Sequence, residues 1–186
     1  EFRRVLFRSV LGSEHLIRFG LRNNPYAGSR DVLEAQEVIE RWGGDALVAR
    51  LVELMEGYTP NLIVSPDGPQ EDAHEHFEHD GAGILASRAI EKLLARTDAS
   101  FLSAHLVSVD KRFVEDFPEA IDLDVTEIDP ASGRSYREIQ LAALKQHITQ
   151  RDAAMIAVRN LADYEYEHYI QRIVRRDAEI TQLFVE

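Results

Sequence analysis

The 186 residues carry 21 Lys and Arg against 33 Asp and Glu, a formal net charge of −12, with 45% hydrophobic residues, the composition of one globular domain. Acidity on this scale disfavours nucleic acid and anionic lipid as partners, because both need a basic patch that replaces counterions. The absence of cysteine excludes a disulfide framework, a Cys-ligated zinc site and a thiol nucleophile, so any metal must sit on His, Asp or Glu. No apolar run approaches the roughly 18 residues that would span a bilayer. Nucleic acid and a membrane span are therefore not expected, and the setting expected is cytoplasmic.

In chain order, His15-Leu-Ile-Arg-Phe19 reads as a short strand. Ser29 is placed to cap a helix with apolar positions Val32, Leu33, Val38, Ile39 and Trp42, stopped by Gly43-Gly44. Asp45 opens a second helix carrying Leu47, Val48, Leu51, Val52 and Met55 and ending at Gly57. Asn61 to Ser65 reads as a buried strand, followed by a polar loop from Pro66 to Glu78. From about His79, the apolar positions Ile84, Leu85, Ile90, Leu93 and Leu94 predict a helix, and Phe101 to Val109 a strand. In Ile121 to Ile128, Ile121, Leu123 and Val125 alternate with Asp122, Asp124 and Thr126, as a half-buried strand requires. Ser135, with Glu138 three residues on, predicts a capping box for a long helix carrying Ile139, Leu141, Leu144 and Ile148. The Tyr-rich stretch after Arg151 reads as helical, with Tyr164, Tyr166, Tyr169, Ile170 and Ile173 either packed in the core or serving a homo-oligomer interface.

Alternating strands and helices predict an α/β fold: a Rossmann-like, three-layer, mostly parallel sheet with helices on both faces. Ligands in such folds gather at the carboxyl ends of strands, which points to the loop leaving Asn61 to Ser65. That loop reads Asp67-Gly-Pro-Gln-Glu-Asp72-Ala-His74-Glu75-His76-Phe77-Glu78-His79-Asp80 and holds three of the seven histidines of the chain. Imidazole is a good zinc ligand, and neighbouring carboxylates orient it. The competing reading is a solvated polar loop in an acidic protein. His105, among apolar strand neighbours, reads as a satisfied core histidine.

The run His76-Phe-Glu-His79 leading into Gly81-Ala-Gly83 resembles the second metal motif of the LmbE-like/PIG-L-like N-acetylglucosaminyl deacetylases, usually His-Pro-Asp-His. Downstream, Gln140-Leu-Ala-Ala-Leu-Lys-Gln-His147-Ile-Thr-Gln150 resembles the helix of that family in which small apolar residues precede His, one residue and Ser-Gln. His15 to Arg22 resembles its strand ending in a Gly-containing substrate loop. Phe77 stands for the usual Pro, Glu78 for the usual Asp, and Asn23 where Asp is frequent. The family's first motif, a strand-end His-Pro-Asp-Asp run that supplies two metal ligands and the catalytic base, does not occur in the sequence.

The resemblance implies zinc, or another divalent metal, activating water against the amide of an N-acetylglucosamine-type substrate, an amino-sugar conjugate. It assigns His79 as a metal ligand, and His76 with Glu78 as catalytic: His76 faces the developing oxyanion and Glu78 favours its charged form. Arg22, Asn23 and His147 fall to substrate binding, although His147 reads equally as a helix-packing residue. Two alternatives stand beside this: a sugar-binding domain on the same scaffold without metal, and a purely structural α/β domain.

Residues 1–9, Glu1-Phe-Arg-Arg-Val-Leu-Phe-Arg-Ser9, carry a net +2 in an otherwise acidic chain and resemble the translation of a short-read sequencing adapter. The expectation is a non-native segment joined to residues 10–186, the C-terminal part of a single deacetylase-like domain whose first motif lay upstream. With one assigned ligand, this chain alone is expected to bind zinc poorly and to be inactive by itself.

Overall fold

A computed structural model describes residues 15–22, 33–66, 77–96, 98–146, 155, 158–159 and 162–173. Described residues within Leu21–Ile121 and His168–Glu186 make one compact unit; those within Glu1–Gly20 and Asp122–Glu167 make another.

The first unit opens with two helices. Helix α1 (Ala35–Arg41) begins where the Glu34 backbone N–H donates to the Glu37 carboxylate at 3.0 Å, satisfying one donor that the first turn leaves open. Ser29, the expected cap, lies outside the described residues. Gly43 takes φ 110°, a value favouring glycine, so the chain turns and restarts at once as α2 (Gly44–Tyr58). That helix runs one residue past Gly57 and ends with Thr59 in the left-handed region at φ 46°.

Strand β1 (Leu62–Ser65) follows, then α3 (Phe77–Arg96) and β2 (Ala104–Val109). The core lies between the helices: Ile39 from α1, Leu47, Val48 and Val52 from α2, and Leu85, Ala89, Ile90 and Leu93 from α3 are buried together with Ala99 and Leu102. Leu94 departs from the expected apolar stripe and is exposed. Every residue of β2 except Ser108 is buried, as befits a strand with partners on both edges. Against the expectation of a buried strand, β1 has Leu62 and Ile63 half-buried and Val64 55% exposed, because among the described residues it pairs only on its β2 side.

A 3-10 helix (Lys111–Asp116) leads to β3 (Ile121–Asp124). Ser135 caps α4 (Tyr136–Leu144) as the sequence predicts: its Oγ accepts from the Glu138 N–H at 3.2 Å while Glu138 accepts from the Ser135 N–H at 2.9 Å. Ile148 lies outside the described residues.

Met155, Val158 and Arg159 are helical as expected after Arg151, but the last strand, β4 (Tyr166–Ile173), overturns the helical reading of its own residues. It pairs antiparallel with β2, His105 opposite Arg172 and Val109 opposite His168. Tyr, Ile and His at alternate positions suit a pleated, half-buried ribbon, and the tertiary partner decides between the two periods.

The architecture is thus α/β with a four-stranded mixed sheet in the order β1-β2-β4-β3. β1 and β2 are parallel, Ile63 opposite His105 and Ser65 opposite Val107, whereas β2 and β4 are antiparallel. The mostly parallel sheet expected from the alternation of elements is corrected by β4, whose reading as a helix concealed an antiparallel partner. His15 to Phe19 forms no strand either: Leu16, Ile17 and Phe19 are 38–51% exposed. No helix among the described residues is long and apolar enough to cross a membrane.

Candidate functional site at the start of helix α3

The candidate turn is built by burial on one side and exposure on the other. Helix α3 already includes Phe77, two residues before the His79 start that the apolar spacing suggested, and Phe77 is fully buried. Asp80 is 1% exposed and Gly81 is buried beside it. Gly81 lets α3 meet α1 at close range: a Cβ on it would sit 3.2 Å from Val38 Cγ1, so the Val38 side chain would have to give by a few tenths of an ångström. Between these anchors, Glu78 is half-buried and His79 is exposed. Both therefore occupy the first turn, where a carboxylate also complements the helix dipole.

Arg22 is exposed, and its carbonyl accepts a hydrogen bond from the Trp42 indole N–H at 3.1 Å. His76, Asn23 and His147, three of the six predicted site residues, lie outside the described residues, as do His74 and Asp72.

A second histidine has the opposite setting. His105 is 2% exposed and its Nε2 lies 2.8 Å from Ser65 Oγ, joining the end of β1 to the second residue of β2. Burial, with Arg172 opposite on β4, pushes its pKa down to about 4, so the ring is neutral at pH 7. This matches the reading of His105 as a satisfied core residue. Ser65 had no comparable signal, since one hydroxyl at a strand end looks like any other. Ser65 is 5% exposed, and the pair fastens two strands.

Among the described residues no three His, Asp or Glu side chains come together as a metal-holding group. A catalytic zinc takes three protein ligands. His79 offers one imidazole, so the described residues alone do not compose a zinc site. No protein family, curated protein or solved structure compared with this chain matches it.

Proposed function

We propose that this chain contributes one metal ligand, His79, to a zinc-dependent amidase that removes the acetyl group from an N-acetylglucosamine-type substrate. In this reading the fold is a variant of the Rossmann-like arrangement, with its ligand edge where β1 leads towards α3. His76 and Glu78 serve the reaction centre, and Arg22, Asn23 and His147 the sugar. The observation that carries it is the first turn of α3, where buried Phe77, Asp80 and Gly81 leave Glu78 half-buried and present His79 to solvent. A histidine meant only for packing would be buried, as His105 is.

The test is glucosamine release from N-acetylglucosamine by the full-length protein supplied with zinc, measured together with zinc content. His79→Ala should lose zinc and activity together, since an under-coordinated zinc leaves. His76→Ala should keep zinc and lose on the order of 10² to 10³ in kcat, the cost of one oxyanion donor. Equal zinc loss in both variants would make both residues ligands and end the division of roles. Sugar binding without release would favour a non-catalytic sugar-binding domain.

A further inference from the structure

Helix α1 touches both described parts of the candidate site. Val38 meets Gly81 at the start of α3, and Arg88 of α3 donates from Nη2 to Gln36 Oε1 at 3.0 Å, so α1 and α3 are held in register. Four residues beyond Val38, Trp42 packs its partly buried ring against the helical core and sends its N–H to the Arg22 carbonyl. Residues four apart share one face of a helix and stand about 6 Å apart along it. The backbone of Arg22 is thereby tied about one helical turn from the α1 position that packs on the turn bearing Glu78 and His79.

We propose that Trp42 is a positioning residue: through its indole N–H it holds Arg22 so that the guanidinium serves the sugar at the edge of the candidate site. This inference rests on the substrate role proposed above for Arg22. The chemistry is direct. A guanidinium has five donors and no acceptor, and the hydroxyls of a pyranose offer lone pairs to it. Arg22 is exposed and reaches solvent from a segment without secondary structure, so a tie to a helix reduces the ordering left for the ligand to impose. Trp42 is the one tryptophan of the chain. Its ring fills core space and its N–H lies on the outer side, a division that phenylalanine would reproduce only in part.

The experiment uses two readouts on wild type, Trp42→Phe, Arg22→Ala and the double variant of the full chain. The first is the affinity for N-acetylglucosamine, measured by calorimetric titration. Arg22→Ala should weaken binding about tenfold and Trp42→Phe about three- to tenfold, the range for hydrogen bonds to charged and to neutral groups. The double variant should be no weaker than Arg22→Ala, because Trp42 acts through Arg22. The second readout needs no ligand. Trypsin must take hold of the Arg22 carbonyl to cut after it, so Trp42→Phe should speed cleavage after Arg22 severalfold relative to cleavage after Arg18.

Additive losses in the double variant, or unchanged trypsin cleavage after Arg22, would overturn the proposal while leaving the substrate role of Arg22 standing. Unaltered affinity in Arg22→Ala, or no binding by wild type, with faster cleavage in Trp42→Phe, would overturn it from the other side. In that case the tie exists and the functional reading of Arg22 has failed.

Discussion

Two histidines in one compact unit, His79 and His105, received opposite treatment from the fold. His79 stands exposed in the first turn of α3, flanked by half-buried Glu78 and buried Phe77 and Asp80. His105 is enclosed between strands, hydrogen bonded to Ser65 and kept neutral. The difference lies in what each neighbourhood can tolerate. A strand paired on both edges leaves an imidazole no water, so the ring must be uncharged and satisfied by a protein group. A helix start with one packed face and one exposed face leaves a ring at the surface. Exposure singles out His79 for the proposed chemistry, and enclosure marks His105 as a structural fastener.

The comparison is broken most directly by truncating the fastener. His105→Ala should cost about 3 kcal/mol in denaturant unfolding, combining the cavity with an orphaned Ser65 hydroxyl. A loss under about 1 kcal/mol would mean that the sheet does not depend on the pair.

Acid offers the next largest effect. The folded state holds His105 at about 4 against 6.5 for an unperturbed histidine, so between those values the unfolded chain binds the additional proton. Stability should fall as pH drops through that window, by up to about 3 kcal/mol, and the effect should vanish above it. His105→Gln should lose this component of the pH dependence and His79→Ala should keep it. Unfolding curves at several pH values for the three proteins decide the matter.

Smaller effects sharpen the contrast. Ser65→Ala should cost about 1 to 2 kcal/mol, because it leaves a buried ring nitrogen without its partner. Ser135→Ala, in the other unit, should cost about 1 kcal/mol through loss of the cap of α4. His79→Ala should change stability by no more than about 0.5 kcal/mol, since the side chain is exposed. A larger loss there would show that His79 is itself structural and would weaken its candidacy as a ligand.

Local chemistry made much of this molecule legible from its sequence. The capping box at Ser135 and Glu138 requires only residues three apart, and it forms as the pattern foretold. The apolar spacing of Leu47, Val48 and Val52 placed the buried face of α2, and that of Leu85, Ile90 and Leu93 the buried face of α3. The identity of His105 as a core residue followed from its apolar neighbours.

The tertiary structure decided what no local pattern contains. Tyr166–Ile173 satisfies a helical stripe and a strand alternation equally well on paper, and only the open edge of β2 selects the strand. His15 to Phe19 has the residues of a strand, yet Leu16, Ile17 and Phe19 stand exposed and it forms none. The same reason governs the candidate site. Sequence supplied the histidines and carboxylates, whereas the ties of Ser65 to His105 and of Trp42 to Arg22 join residues 40 and 20 positions apart. Such contacts depend on how the chain closes upon itself, and local propensity carries no information about them.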